Sequence, residues 1–220
     1  MKSGSLVRMV WAMSFLLPVG FAAAERPVSA CETAIREVVD TSSLNIASAE
    51  RALSEGRYAA AVVGVSKAFP NIKKMNVGAG PLADRGLRIL ALAAARADGA
   101  LNVAKVIEGT TDEQKSENLL FAIDTLRKLN AKRANNPSFQ TDLAEALSKV
   151  PRFKAEALEI LNGLAKKDLV ASPEGYAALA KIRDNVGDKE GTALAVKRCA
   201  GMTKKATMCV VDSADASSRS

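Results

Sequence analysis

Apolar residues recur at helical spacing along almost the whole chain beyond residue 28. Leu119, Ile123, Leu126 and Leu129 fall on one face of a helix, because positions three or four residues apart share a face. No segment keeps the alternation of apolar and polar residues that marks a half-buried strand. The pattern therefore predicts an all-α fold.

Residues that favour caps and turns divide this pattern into separate helices. Gly78, Gly80 and Pro81 mark residues 71–81 as a loop. About ten helices are predicted, over residues 29–40, 43–54, 57–69, 82–97, 100–108, 112–133, 138–149, 152–166, 173–186 and 188–200. The helix at 82–97 is apolar over much of its circumference, so we expect it to lie centrally.

The last four predicted helices form a repeat with a spacing of 36 residues. The matching positions are Pro137 and Pro173, Leu143-Ala144 and Leu179-Ala180, and Ala157-Leu158 and Ala193-Leu194. The turn at Pro151 corresponds to the turn at Gly187. A repeat of this length, built from two helices and a short turn, is typical of a helical solenoid.

The repeat resembles the tetratricopeptide repeat family. The segment Glu55-Gly56-Arg57-Tyr58-Ala59-Ala60-Ala61 looks like the turn of that family, and Tyr176, Leu179 and Ala180 match its first-helix positions. Residues 71–136 depart from the family in spacing and turn residues. The resemblance implies antiparallel helix pairs stacked as a short TPR-like solenoid, of an exported bacterial type. A non-solenoid helical bundle is the alternative.

The resemblance also implies a binding surface. First helices of such arrays line a concave groove that holds a peptide or a partner helix. Carried over to this chain, the groove would expose eight residues: Ser138, Thr141, Glu145, Ser148, Glu174, Ala177, Lys181 and Asp184. The expected partner is another envelope protein or a peptide segment; the alternative is that these residues simply face solvent.

The first 24 residues have the features of a cleaved signal peptide. Lys2 and Arg8 precede the uncharged run from Met9 to Phe21, and Ala22-Ala23-Ala24 supplies a small-residue cleavage site. The run is 13 residues long, short for a membrane span, although an uncleaved anchor is the alternative. We predict export to the periplasm or beyond the cytoplasmic membrane, a helical domain over 25–211 and a disordered tail over 212–220.

Three cysteines follow the predicted cleavage site. An oxidising compartment favours a disulfide between Cys199 and Cys209; two unpaired buried thiols are the alternative. Cys31 ends Val28-Ser29-Ala30-Cys31, which resembles a lipobox and suggests lipidation as an alternative role. Glu25-Arg26-Pro27 separates this segment from the apolar run, which favours cleavage after residue 24.

The chain contains no histidine. This excludes Ser-His-Asp and Cys-His catalytic sets, a CxxCH haem attachment and zinc sites with histidine ligands. There is also no glycine-rich phosphate loop and no CxxC. Asp184, Asp188 and Glu190 surround a turn but lack calcium-loop spacing. We therefore expect no catalytic residues, no cofactor and no metal.

The net charge of the chain is +7, and it falls to +5 without Lys2 and Arg8. Basic clusters without interleaved aromatic residues do not predict nucleic-acid binding. The predicted function is a non-enzymatic adaptor or scaffold for protein–protein contacts in the bacterial cell envelope. One alternative is a structural or assembly component tethered by lipid at Cys31. The other is a carboxylate-dependent enzyme acting on an envelope polysaccharide, or its regulatory subunit.

Overall fold

The computed structural model describes residues 40–211. This part of the chain contains eight α-helices: α1 (Ser42–Ser54), α2 (Tyr58–Ala68), α3 (Pro81–Arg96), α4 (Asp112–Lys132), α5 (Pro137–Ser148), α6 (Lys154–Ala165), α7 (Pro173–Asn185) and α8 (Lys189–Met202). Short 3-10 helices follow α2, precede α6 and follow α8, at Ile72–Lys74, Pro151–Phe153 and Ala206–Cys209. The all-α prediction is confirmed for this part of the chain.

Several predicted features lie outside the described residues. They are the signal peptide over 1–24, the helix over 29–40 apart from its last residue, Cys31, and the tail over 212–220. Within residues 40–211, no helix is both long enough and apolar enough to cross a membrane.

The predicted helix over 100–108 is wrong. This segment is a loop in which Val103 and Ile107 exchange two backbone hydrogen bonds, of 2.8 and 3.0 Å. The amide of the buried Asn118, on α4, donates to the carbonyl oxygens of Gly99 and Glu108. These bonds satisfy loop carbonyls that a helix would satisfy internally. The described residues therefore hold eight of the ten predicted helices.

The helices pack as four successive pairs: α1 with α2, α3 with α4, α5 with α6 and α7 with α8. Each odd-numbered helix also packs against the next odd-numbered helix. In addition, α3, α5 and α7 each pack against the even-numbered helix that precedes them. The odd-numbered helices therefore form a continuous row, and each of α3, α5 and α7 is surrounded by neighbours.

Small side chains let these helices approach closely. In α3, the central helix as expected, Ala91, Ala93, Ala94 and Ala95 are fully buried alongside Leu90. Alanine favours the helical backbone and loses no side-chain entropy on burial, so an alanine-rich face suits dense helix packing. The core thus combines close backbone approach at alanines with larger buried aliphatic side chains such as Leu87 and Leu126.

Side-chain caps fix where four of the described helices begin, α4, α5, α7 and α8. Thr111 accepts a hydrogen bond from the backbone of Gln114, whose side chain accepts from the backbone of Thr111, forming a capping box at the start of α4. Ser172 accepts from the backbone of Gly175 at the start of α7, with Pro173 as the first helical residue. These local signals explain why the predicted starts of α4 and α7 agree with the structure.

The spacing of 36 residues holds for the first helices of the repeat but not for the second. Leu143 and Leu179 are both buried, as the repeat requires. In contrast, Ala157 is buried whereas Ala193 is exposed. The two turns differ in shape: a 3-10 helix precedes α6, and Gly187 has a positive φ of 80° before α8. At a spacing of 36 residues, the buried positions of α6 therefore do not correspond to the buried positions of α8.

The predicted disulfide is present. Cys199 of α8 is bonded to Cys209, with their Cα atoms 5.7 Å apart, and both residues are buried. The bond holds the 3-10 helix Ala206–Cys209 against α7 and α8. Residues 203–211, which contain this 3-10 helix, are called the C-terminal strap below.

Candidate functional site

A cavity of about 410 Å³ opens on the row of odd-numbered helices. It is lined from α3, α5 and α7, from the start of α2 and α6, and from the C-terminal strap; its polar residues include Tyr58, Arg96, Glu145, Lys154, Glu174 and Lys181. We call it the central cavity. Its size is within the range of sites that bind small molecules or a few side chains of a peptide.

A buried arginine forms the base of the central cavity. Arg96, at the end of α3, donates from Nε and Nη2 to the two carboxylate oxygens of Glu145 on α5, over 2.8 and 3.0 Å. Its Nη1 lies 2.9 Å from Oε1 of Glu174 on α7. One guanidinium therefore links three neighbouring odd-numbered helices.

The ion pairs outweigh the cost of burying the arginine. Burial disfavours the charge on Arg96, but the carboxylates of Glu145 and Glu174 together raise its pKa above the ordinary arginine value. Buried charges are tolerated where they are paired and hydrogen-bonded, as the bidentate contact provides. This cluster is therefore a fixed, charged element of the cavity lining.

The structure places the eight predicted groove residues in different surroundings. Five of them line the central cavity: Glu145, Ser148, Glu174, Ala177 and Lys181. Ser138 lines a neighbouring cavity of about 240 Å³, which shares Arg96 with the central cavity. Asp184 accepts a hydrogen bond of 2.7 Å from Lys189 and lines neither cavity.

Exposure was predicted for all eight, and it is wrong for Thr141 and Glu145. Both are buried, because α5 is packed against α3, α4, α6 and α7. The hydroxyl of Thr141 accepts a hydrogen bond of 3.1 Å from the backbone of Ala171, and Glu145 is held by Arg96. Thr141 joins helix to loop, whereas Glu145 is at the base of the cavity.

Two lysines give the central cavity an unbalanced positive charge. Lys149 is paired with Asp98 over 2.9 Å. Lys154 and Lys181 also line the cavity, and no carboxylate among residues 40–211 lies within ion-pair distance of either ammonium group. Glu145 and Glu174 share the single charge of Arg96, so the four cationic and three acidic side chains of the lining leave a net charge of +1. The site is therefore suited to an anionic group on a ligand.

The neighbouring cavity contains a second cluster of charges. Arg88 of α3 contacts Asp142 of α5 over 2.5 Å, and its guanidinium lies 4.8 Å from the ring centre of Phe139. Burial raises the pKa of Asp142, and the hydrogen bond from Arg88 only partly offsets this. Glu50 and Arg85 make a more exposed pair nearby.

Tyr58 lies at the edge of the central cavity, directly after the turn between α1 and α2. Burial raises the pKa of its hydroxyl, with a smaller opposing effect of Arg96. The sequence singled out Tyr58 only as part of the turn motif. In the structure, the side chain of Tyr58 also forms part of the cavity wall.

A larger depression, of about 600 Å³, lies beside α8. Leu194 and Met202 contribute apolar surface to it, and Arg198 is 3.2 Å from Asp168 there. Both members of that ion pair are more than half exposed, at 53% and 65%. The central cavity is the stronger candidate, because its Arg96, Glu145 and Glu174 side chains are largely buried and hold one another in defined positions.

Sequence reasoning missed Arg88, Arg96 and Asp142. A signal for them exists in hindsight: each is a charged residue in a helix that is otherwise largely apolar. Such a residue needs a buried partner. The pairs join positions 54 and 49 residues apart, so the partners themselves are not visible in local periodicity.

The site offers no recognisable metal centre. Among residues 40–211, no group of three or more His, Cys, Asp or Glu side chains is arranged to hold a metal ion. Glu145 and Glu174 do lie in one cavity, yet both contact the same guanidinium. The arrangement is suited to holding a ligand by charge and shape.

Comparison with known proteins gives no relative: no family model matches the chain, and no curated protein or solved structure is similar to it.

Proposed function

We propose that this chain is an exported, non-enzymatic adaptor that binds a segment of a partner protein in the central cavity. The helix pairs would act as a short TPR-like solenoid, with the odd-numbered helices as the binding face. The partner would be another protein of the cell envelope, and the bound segment would carry an acidic group.

The observation that carries this proposal is the charge arrangement in the central cavity. Arg96 holds Glu145 and Glu174 in place, while Lys154 and Lys181 have no carboxylate partner among residues 40–211. The Arg96 cluster is already held in place before a ligand binds, so it adds little to the entropy lost on binding. An extended segment with a carboxylate opposite the two lysines would gain ion pairs without breaking existing ones.

Two further observations support this reading. Packing of each odd-numbered helix on the next, and on the even-numbered helix before it, is the arrangement expected for stacked helix pairs. The Cys199–Cys209 disulfide is typical of proteins from oxidising compartments, in agreement with export. The lipid tether at Cys31 stays an alternative, because Cys31 lies outside the described residues.

The enzymatic alternative has one observation in its favour. Glu145 and Glu174 are two acids in a single cavity, as carboxylate-dependent hydrolysis requires. Glu174→Gln would separate the two functions. It would abolish turnover of an envelope polysaccharide if Glu174 were a catalytic residue, and it would leave partner capture largely intact if the lysines bind the ligand.

Photo-cross-linking in cells that have incorporated a photoreactive leucine analogue, which does not require a lysine amine, is followed by capture of the tagged chain and mass spectrometry and tests the proposal. Lys181→Glu and Lys154→Glu reverse a cavity charge without disturbing an existing ion pair. We expect each to lower recovery of one specific envelope protein about tenfold, as expected for replacing an attractive contact by a repulsive one.

The matched control is Lys167→Glu, which makes the same charge change at an exposed position outside the cavities. It should retain wild-type recovery. Equal recovery with all three variants would contradict the assignment of the site. Absence of any protein partner under efficient cross-linking would contradict the adaptor function.

A further inference from the structure

The C-terminal strap leads the chain to the edge of the central cavity and is held there. Cys209 is bonded to the buried Cys199, and Lys205 Nζ donates a hydrogen bond of 2.6 Å to the backbone carbonyl of Glu55. Val210, the next residue after the bonded cysteine, lines the cavity. The part of the chain that follows the strap therefore starts from a fixed point beside the cavity.

Residues 212–220 follow the strap and are called the tail below. The tail contains Asp212 and Asp215, one cation at Arg219, and no aliphatic side chain larger than alanine. Two aspartates and one arginine give its side chains a net charge of −1. Because there is little apolar surface to bury, charge rather than hydrophobic packing would direct the tail to a particular place on the fold.

The central cavity is complementary to the tail in charge. Its lining carries four cationic and three acidic side chains, a net charge of +1. Among residues 40–211, no carboxylate lies within ion-pair distance of Lys154 or Lys181, which both line the cavity. Two further carboxylates would pair with these two ammonium groups without replacing an existing partner.

The aspartates of the tail are within reach of the cavity. A chain advances by at most about 3.3–3.6 Å per residue, so Asp212 lies within about 7 Å of Val210 and Asp215 within about 18 Å. Val210, Lys154 and Lys181 line one cavity of about 410 Å³. A short covalent tether also gives a ligand a local concentration of about the millimolar range, which favours contacts that are weak between separate molecules.

We propose that the tail occupies the central cavity, with Asp212 and Asp215 paired to Lys154 and Lys181. The disulfide supports this contact by fixing the point from which the tail leaves the fold. The tail is then a competitor, within the same chain, of any acidic segment that binds these lysines. The competition rests on the proposed function, whereas the contact between tail and cavity can be measured without a partner.

Zero-length cross-linking with a water-soluble carbodiimide tests the contact in the purified full chain. The reagent joins a carboxylate to an amine only where the two groups meet, and peptide mapping of the monomeric product identifies the linked pair. We expect the tail aspartates to be linked to Lys154 or Lys181 at least about fivefold more than to Lys204, the preference that one ion pair provides.

Lys204 is the matched comparison, because it is exposed, lies outside the cavity and is closer to the tail in sequence than either cavity lysine. A tail without a preferred site would react with Lys204 at least as much. Equal linkage to Lys204, or no linkage to the cavity lysines, would overturn the proposal.

Acetylation of lysine provides a measurement that forms no link between residues. An ion pair favours the ammonium form of the amine, which does not react. The double variant Asp212→Asn/Asp215→Asn should therefore raise the acetylation rate of Lys154 and Lys181 about two- to fivefold. The rate at Lys167, which is exposed and outside the cavity, should stay the same.

Glu159→Gln/Glu190→Gln is the control, because it removes two exposed acidic charges outside the cavity. It should leave the acetylation of the cavity lysines as in wild type. Unchanged acetylation of the cavity lysines in Asp212→Asn/Asp215→Asn, or an equal rise in the control, would also overturn the proposal.

The competition is tested by capture of the partner from cells, as described for the proposed function. Asp212→Asn/Asp215→Asn should raise recovery of the envelope protein about two- to fivefold, and Glu159→Gln/Glu190→Gln should not. Unchanged recovery in the tail variant would contradict the competition. The carbodiimide and acetylation measurements use no partner, so failure of the tail contact and failure of partner binding are separate results.

Discussion

Arg96 and Glu145 form a two-pronged ion pair between α3 and α5, in which both carboxylate oxygens accept from the same guanidinium. The side chains are only 9% and 3% exposed. The pair thus combines two functions: it fixes the positions of two helices in the row, and it forms the charged base of the central cavity.

Glu145→Gln is expected to lower the free energy of unfolding by about 3 kcal/mol, because it leaves the buried Arg96 with Glu174 as its single carboxylate partner. Urea denaturation followed by circular dichroism measures the loss. Glu174→Gln should cost about 1 kcal/mol, since Glu174 is more exposed. Glu159→Gln, at an exposed position, is the control and should change the free energy of unfolding little. A Glu145→Gln protein as stable as wild type would contradict a structural role for the pair.

The contribution of Asp142 to the free energy of unfolding should depend on pH. Burial raises its pKa in the folded chain, so the folded state binds the proton more tightly than the unfolded state. Its stabilising contribution is therefore complete below the unfolded pKa and is lost as pH rises through the folded pKa. The stability of wild type relative to Asp142→Asn should therefore fall as the pH rises from about 4, the ordinary pKa of aspartate, towards neutrality.

Urea denaturation of both proteins across that range measures the difference. Asp124→Asn, at an exposed position of α4, is the control for a general effect of charge. A difference between wild type and Asp142→Asn that stays constant, or that grows as pH rises, would show that the Arg88 contact outweighs burial at this carboxyl.

Gly99→Ala should destabilise the fold by more than about 2 kcal/mol. Gly99 has a positive φ of 76°, and an added Cβ would collide with the backbone of Lys115. Both the strain and the collision act against alanine. Gly163→Ala is the matched control: it is helical, has open space around it and should stabilise α6 by about 0.5–1 kcal/mol. Thermal unfolding of both variants should give opposite shifts.

Removal of the disulfide should also destabilise the chain. The bond closes a loop with a sequence separation of 10, for which loop entropy predicts a contribution of about 3 kcal/mol. In urea denaturation under oxidising conditions, the double variant Cys199→Ala/Cys209→Ala should have a free energy of unfolding lower by this amount. Non-reducing peptide mapping of wild type should recover the two cysteines in one linked pair of peptides. Free alkylation of both thiols in exported material would be the contrary result.

Local signals were sufficient to predict the helices but not the loop at 100–108. Eight predicted helices agree with the structure to within two residues at each end. In the loop, Leu101 and Ile107 are buried as apolar residues of a helix would be. The side chain of Asn118, from another element, supplies the hydrogen bonds that stabilise the non-helical backbone. That contact between elements has no signature in the periodicity.

The candidate site was only partly predictable, because it too depends on contacts between elements that are far apart in the chain. The resemblance to a repeat family indicated α5 and α7, two of the helices that line the central cavity, but not α3 or the C-terminal strap. It gave no indication of Arg96 as the centre of the charge cluster, and it predicted exposure for Glu145. The Lys205–Glu55 contact is formed only when the first and last helix pairs approach each other in three dimensions.

The central claim is that a partner segment lies in the central cavity, and site-specific photo-cross-linking tests it most directly. A photoreactive amino acid at Ala177, on the cavity wall, is compared with one at the exposed Glu159 of α6. We predict that position 177 cross-links to one segment of one envelope protein, with an acidic residue near the cross-linked position, and that Lys181→Glu lowers the yield of this product about tenfold. Cross-linking of the same partner from position 159 but not from position 177 would contradict the claim.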